Sequence, residues 1–303
     1  MKKIVHEKTT GYAPSEIEKP IQSKYQVDLN LADKNDARII ALGLIEPGAK
    51  VLDVGCACGD FGALMYKEKN CSVYGMDYDS ESLKIAEQYD IYHQLHQVDL
   101  NSFEPTKYPE YYASFDCIVL LDILEHLVNP ETVLLKIKHY LKADGYFIVS
   151  LPNIAFCNVK IALLCDDFTY ADTGVMDRTH LRFFTHRTIV EFMSRLKLKI
   201  TECSITIKDC LPTFKIPFYV KRFIRKDPHS FAYQYIMKVE ASELLAQEIL
   251  KEQNTEQMLL DEKRINTHLR QMRRRRWMQK FFPVDSTQYT MAKSFKNFFM
   301  GTI

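Results

Sequence analysis

Two groups of residues in this chain have types and spacings that could do chemistry. The first is Gly55 and Gly59, with Asp53 just before them and Asp77 and Asp99 about twenty and forty positions further on. Glycines in a turn let a ligand approach bare backbone, and a carboxylate at a strand end can accept two hydrogen bonds from a ribose diol. The second is His126 and His180, with Asp177, Arg178 and Arg182 beside the later histidine. An imidazole can take a proton near neutral pH, and a guanidinium can grip a carboxylate or phosphate with two bonds.

Positioning these groups requires a strand and a turn ahead of each. Val51 to Gly62 reads V-L-D-V-G-C-A-C-G-D-F-G: an apolar strand, a glycine-rich turn and a helix starting near Asp60 or Phe61 and running to Lys67. The helix start offers unpaired N–H groups, so the turn is suited to cradling a nucleotide. Ser72 to Met76 reads as a second strand ending in Asp77, and a third ends at Val98-Asp99-Leu100. Between them lies a helix over Ser80 to Gln88, with Asp79 or Ser80 as its cap. Phe115 to Leu121 is apolar enough to be buried on both faces, and it runs into Asp122-Ile-Leu-Glu-His126-Leu. Strand ends of an open parallel sheet line its ligand crevice, so Asp122, Glu125 and His126 all approach the site.

The remaining elements follow from the same signals. A helix is expected over Lys34 to Leu44 ahead of the Pro47-Gly48 turn, another from Asn129-Pro130-Glu131 to about Leu141, and a fifth strand over Tyr146 to Leu151. Ile154 to Tyr170 reads as helical. The polar run Asp172 to Thr185 follows, then a helix over His186 to Leu196 capped by Thr185, and closing strands over Lys199 to Lys208 and Phe231 to Val239. Residues 1–30 read as an irregular arm, in which Tyr25 either covers the site or packs the arm.

A dinucleotide fold would want G-x-G-x-x-G receiving a pyrophosphate; Gly55, Gly59 and Gly62 do not fit that spacing, and Asp60 would repel a phosphate. Instead, Asp53, Gly55, Ala57 and Gly59 resemble the acidic-x-Gly-x-Gly-x-Gly pattern of class I S-adenosylmethionine-dependent methyltransferases, with alanine at the middle glycine. The resemblance covers roughly Lys34 to Glu240. It implies an α/β fold, a Rossmann-like doubly wound, mostly parallel seven-stranded sheet. It also implies S-adenosyl-L-methionine as cofactor, held by Asp53, Gly55, Cys56, Ala57, Gly59, Asp77, Tyr78, Asp99, Leu100 and Asp122. Asp77 would take the ribose and Asp99 the adenine, with the Leu100 backbone beside the ring. The Leu-Glu-His segment and the Leu151-Pro152-Asn153 strand ending are similar to the branch containing ubiquinone-type O-methyltransferases and methyltransferases of cell-surface glycan clusters. The string Asp177 to Thr185 resembles one in methyltransferases encoded with glycosyltransferases, which implies a polar small-molecule, glycan or lipid-linked sugar acceptor.

Methyl transfer to a hydroxyl needs alignment, exclusion of water and a base. His126 and His180 are the candidate bases; His126 could equally bond locally at a helix start. Arg178 and Arg182, with Asp177, either bind an anionic acceptor or pair with Asp172 and Asp177 to hold the loop.

Composition narrows the rest. The 303 residues are 47% hydrophobic with net charge +1, ample for one large domain and an appendage. Three parts are expected: an arm over 1–33, the cofactor domain over 34–240, and a helical, basic C-terminal extension over 241–303. The eight cysteines show no C-x-x-C spacing, which favours thiols over a metal site. The N-terminus lacks a signal-peptide pattern, so a cytoplasmic protein is expected. Residues 264–303 carry nine Lys/Arg against one acid. There Arg273 to Arg276 adjoin Trp277, Phe281 and Phe282, and Met291, Phe295, Phe298 and Phe299 share a helical face. Such a tail is suited to peripheral contact at the inner membrane face, or to packing on its own domain or on a partner subunit. The preceding Ala241 to Arg276 reads as a long helix that could pair two copies. Nucleic acid is a weaker partner, because no Asn-Pro-Pro-Tyr-like motif for an extruded base is present. A cofactor-fold scaffold without catalysis is the remaining alternative.

Overall fold

The structure is a computed structural model and describes residues 4–5, 31–208, 227–244 and 246–249. The described residues belong to one compact unit. Its sheet contains β1 (Ile4–Val5), β2 (Lys50–Val54), β3 (Ser72–Asp77), β4 (Tyr92–Gln97), β5 (Phe115–Leu121), β6 (Leu141–Pro152), β7 (Leu198–Ile207) and β8 (Ala232–Ala241). The order is β1-β4-β3-β2-β5-β6-β8-β7. Pairing is parallel from β4 through β6 and antiparallel for β8 on β6, β7 on β8 and β1 on β4. The expected seven strands are therefore present, and part of the segment read as an irregular arm adds a two-residue strand at the edge.

Strand order reverses at the β2–β5 boundary: successive strands step one way from β2 to β4, then the chain returns to the other side of β2. Because β-α-β crossovers are right-handed, that reversal sends the connecting helices to opposite faces and opens a crevice at the strand ends between β2 and β5. Six α-helices connect the described strands: α1 (Ala37–Leu44), α2 (Asp60–Lys69), α3 (Ser80–Gln88), α4 (Pro130–Ile137), α5 (Cys157–Leu164) and α6 (His186–Arg195). On one face Ala41 and Leu42 of α1 and Phe61 and Met65 of α2 close over Val51, Val73, Val119 and Ile148. Burying apolar side chains of this kind yields about 1.5–3 kcal/mol each before entropy is counted, which is what fixes the strand ends in space.

Helix limits follow local hydrogen bonding. The first helix begins three residues later than Lys34 because Asp36 caps it, accepting from the Arg38 backbone N–H. Asp79 caps α3, accepting from Glu81 and Ser82, and Thr185 with Thr188 forms a reciprocal capping box on α6. The helix expected over Ile154 to Tyr170 covers only Cys157 to Leu164. Asn153 accepts from the Ala155 N–H ahead of it, and beyond it Asp166 takes a left-handed φ of 59° while Asp167 accepts from Thr169. These side chains offer the backbone turns in place of helical bonds.

Cys56, Cys58, Cys71 and Cys117 are buried free thiols, whereas Cys157 is disulfide-bonded, unlike the thiols expected throughout. Among the described residues no helix is long and apolar enough to cross a membrane. The expected long helix and basic tail lie almost wholly outside the described residues, as does Tyr25.

Candidate active site

The turn after β2 is built for close approach. Gly55 has φ 78°, and a Cβ there would lie 2.0 Å from Cδ1 of Ile123. Ala57 is left-handed at φ 45°, and Gly59, at φ 87°, caps α2 without a side chain. An alanine therefore occupies the middle glycine position in a conformation that ordinarily favours glycine. The turn is fixed by backbone bonds from Gly55 and Cys56 to the Met76 carbonyl, at 2.7 and 3.2 Å. Asp77 adds to this: its Oδ2 accepts from the Ala57 N–H at 2.7 Å and its Oδ1 from the Asp79 N–H at 2.8 Å. Each oxygen retains a second lone pair for a ligand. At the end of the neighbouring strand, exposed Asp99 accepts from the Asn101 N–H at 2.9 Å, with Leu100 half-buried beside it and Tyr78 largely exposed.

Asp53, the acid ahead of the turn, is buried, with the Tyr92 hydroxyl donating to Oδ2 at 3.3 Å. Burial pushes its carboxyl up to about 7, aided by the negative charge of Asp77 and opposed by the Tyr92 bond. It faces a cavity of about 440 Å³ whose wall also includes Gly55, Cys56, Ala57, Cys58 and Asp60 from the turn, Asp36 and Arg38 from the start of α1, Asp122 after β5, and Thr206, Lys208, Tyr233 and Gln234 from the closing strands.

Asp122 holds the centre of that wall. It sits at φ 55°, its N–H donating to Ser150 Oγ at 2.9 Å, while Ser150 Oγ donates back to its Oδ1 at 2.9 Å and Gln234 Nε2 donates to the same oxygen. Solvent reaches the carboxyl through the cavity, yet surrounding protein raises its proton affinity above that of an ordinary aspartate, against the pull of the Ser150 and Gln234 bonds.

The histidines meet beside this wall but not on it. The rings of His126 and His180 lie 4.8 Å apart at 74°. His126 Nδ1 contacts the Thr179 carbonyl at 3.2 Å and His180 Nδ1 the Val175 carbonyl at 3.1 Å, which assigns the proton to Nδ1 and leaves Nε2 as acceptor in each neutral ring. Burial, then the neighbouring His126, lowers the His180 pKa. The polar run docks here through the Leu181 and Arg182 N–H groups, which donate to the Glu125 carbonyl at 2.8 and 3.0 Å. The Glu125 carboxyl is buried, its Oε2 unpartnered, and burial with the charge of Asp122 raises its proton affinity well above the ordinary value. One ligand atom each from Glu125, His126 and His180 lie within 4.8 Å of one another, a grouping that could hold a metal ion, although no such site was expected from the sequence.

Arg178 pairs with Asp172 at 2.5 Å, both exposed. Arg182 donates to the Leu181 and Val128 carbonyls, and Asp177 accepts from the Thr179 N–H and hydroxyl at 2.8 and 2.6 Å. None of the three lines the cavity. Among the residues that do, Arg38, Thr206, Lys208, Tyr233 and Gln234 were not singled out by the sequence. For Thr206 and Gln234 the signal is cross-strand register: the two pair, which puts both side chains on one sheet face.

Comparison with known proteins agrees with this geometry. A family model described as a methyltransferase domain matches residues 24–202. Among curated relatives, the ubiquinone biosynthesis O-methyltransferase of Idiomarina loihiensis is 33% identical over 132 residues, 41% of this chain and 52% of the relative. That of Haemophilus ducreyi is 34% identical over 113 residues, 35% and 46% of the two chains. The matched stretch thus spans about half the length of these relatives. Among solved structures, the 1,6-didemethyltoxoflavin-N1-methyltransferase of Burkholderia thailandensis, with S-adenosylhomocysteine bound, is 16% identical with a TM-score of 0.45, over 69% of this chain and 80% of that one. That likeness is too remote to bear on the acceptor. A turn that a single Cβ would fill at Gly55, beside a buried carboxyl and a small cavity, fits the methionyl end of S-adenosyl-L-methionine. With a family match over more than half its length and this cradle at the reversal of its sheet, the chain belongs to the methyltransferase-domain family and takes S-adenosyl-L-methionine as its cofactor.

Proposed function

We propose that the protein is an O-methyltransferase acting on a small-molecule or glycan acceptor. The observation that carries this reading is the shared cavity: the Gly55–Gly59 turn and the Asp122–Ser150–Gln234 network open onto one space of about 440 Å³. That size suits a small acceptor placed against the donor's reactive end.

When bound, S-adenosylmethionine supplies an electrophilic methyl group. The turn N–H groups and Asp53 hold the donor's methionyl end, and the Arg38 guanidinium, at the same wall, is suited to its carboxylate. Asp77 and Asp99, with Tyr78 and Leu100 alongside, serve the ribose and adenine. With the donor in place, an acceptor hydroxyl presented to that methyl group would have to give up its proton to a base. We assign that base to His126, which lies beside the cavity wall and not on it, so that a bridging water would carry the proton to Nε2, left as acceptor by the Nδ1 contact with Thr179, with His180 against its ring. A positioned base of this kind contributes about 10²–10⁴ in rate, which is the loss expected for His126→Ala at unchanged donor affinity.

The deciding experiment is incubation with methyl-labelled S-adenosylmethionine and a panel of hydroxylated phenols and sugars, with S-adenosylhomocysteine binding measured calorimetrically alongside. Label in an ether product supports the reading; failure to bind S-adenosylhomocysteine removes it. Peripheral membrane contact through residues 264–303 is a separate proposal that rests on their nine basic residues and aromatics.

A further inference from the structure

The charged groups around the cavity are nearly all committed to one another. Asp36 Oδ1 and Oδ2 accept from Nε and one terminal nitrogen of Arg38 at 3.1 and 2.8 Å, which neutralises Asp36 and leaves the other terminal nitrogen to the donor's carboxylate as assigned above. Asp60 accepts from the Tyr89 hydroxyl at 2.7 Å, and Asp122 from Ser150 and Gln234. Outside the cavity, Arg178 and Arg182 are spent on Asp172 and on backbone carbonyls.

Lys208 is different. It follows the end of β7, lines the cavity, and among the described residues has no carboxylate partner; its Nζ rests 3.6 Å from the centroid of the Tyr233 ring. The ring attracts the ammonium without neutralising it. Two residues earlier, Thr206 is buried, and its Oγ1 has no hydrogen-bond partner although the residue lines the same wall. A buried hydroxyl left unsatisfied costs on the order of 1–3 kcal/mol, so such a group in a ligand cavity points to a missing ligand atom. The mouth is held in shape from outside: Asn35 Nδ2 donates to the Ile207 carbonyl and Oδ1 accepts from the Ile207 N–H, both at 2.9 Å, fixing the backbone between Thr206 and Lys208.

Resting on the methyltransferase reading above, we propose that Thr206, Lys208 and Tyr233 form the acceptor subsite, and that the acceptor is a small molecule carrying an oxyanion, a carboxylate or a phosphate ester. Lys208 pairs with the oxyanion, Thr206 bonds a polar atom of the acceptor, and the reacting hydroxyl lies toward Asp122. Recognition of the acceptor's charge therefore belongs to the closing hairpin and not to Arg178 and Arg182, whose loop shapes the neighbouring wall.

The test uses the full chain saturated with S-adenosylhomocysteine and three probes of similar size: 4-hydroxybenzoate, phenyl phosphate and neutral 4-hydroxybenzamide. Titration calorimetry should give at least one anionic probe about tenfold tighter binding than the neutral one, consistent with a charge-assisted contact. The stronger of the two anions identifies whether carboxylate or phosphate is the natural group. Lys208→Met should abolish the preference while S-adenosylhomocysteine affinity stays unchanged; Lys208→Arg should keep it, and Thr206→Val should weaken all three probes. Arg178→Gln and Arg182→Gln should leave the preference intact. The subsite is overturned if anionic and neutral probes bind alike, if Lys208→Met retains the preference, or if Lys208→Met loses S-adenosylhomocysteine binding. The last outcome would make Lys208 a donor contact. Failure of the unaltered protein to bind S-adenosylhomocysteine overturns the methyltransferase reading itself, and is thereby distinguished from failure of the subsite.

Discussion

At the scale of single residues, two titrating groups give opposite pH signatures. The Asp53 carboxyl has its pKa raised from 3.8 to about 7, so between those values the folded chain binds more protons than the unfolded one, and stability falls as pH rises through that window. The α-ammonium of the methionyl end, which S-adenosylmethionine and S-adenosylhomocysteine share, reverses the preference by favouring the carboxylate. Affinity for S-adenosylhomocysteine should therefore fall as pH drops below about 7, with proton release on binding, and Asp53→Asn should flatten that profile; calorimetry in buffers of different ionisation enthalpy reads both. His186 has the other sign. Its ring stacks 4.0 Å from that of His229, its Nε2 is buried without a partner, and burial together with His229 lowers its pKa from 6.5 to about 4. The unfolded chain binds the extra proton between those values, so this contribution is whole above pH 6.5 and is lost as pH falls toward 4. His186→Phe should recover on the order of 2 kcal/mol at pH 4.5 relative to pH 7.5 in urea unfolding.

At the scale of elements, the strand–turn–helix over Lys50 to Lys69 was legible because its demands are local: an apolar run, glycines where φ is positive, and a helix start. Asp79 and Thr185 were likewise legible as caps, since a cap bonds to its own next turn. Thr206, Lys208, Tyr233 and Gln234 were not, because they reach the cavity only through the pairing of β7 with β8 and of β8 with β6, and register between distant strands is not written in either strand alone. The extended helix expected after Ile154 failed for a related reason: Asn153, Asp166 and Asp167 divert the backbone by side-chain bonds that helical periodicity does not reveal. The turn itself makes a sharp prediction. Gly55→Ala places a methyl group 2.0 Å from Ile123 Cδ1 at φ 78°, so donor affinity should fall by about tenfold or more. Adding Ile123→Ala should restore part of it, since the collision is relieved while the backbone strain is not. Equal affinity in the single variant and the unaltered chain, read by calorimetry, would remove the close-approach account of this turn.

At the scale of the whole molecule, donor binding and stability are linked. S-adenosylhomocysteine at one hundred times its Kd should stabilise the fold by about 2.7 kcal/mol, seen as a rise in Tm that grows with ligand concentration. Removing residues 264–303 should leave that rise intact while abolishing flotation with vesicles rich in anionic lipid; if both forms float alike, the basic tail is not the anchor. The placement of β8 between β6 and β7 also carries a consequence for synthesis. A ribosome that has released the chain only through Ile207 has delivered the glycine turn and Asp122, but neither Gln234, which bonds Asp122, nor any neighbour for β7 in the sheet. The closing hairpin must insert its last-made strand inside its earlier one, so the unfinished chain has a donor cradle without an acceptor wall. A chain stalled at Ile207 should therefore incorporate no methyl label into acceptor, read on ribosome-bound complexes against released full chain.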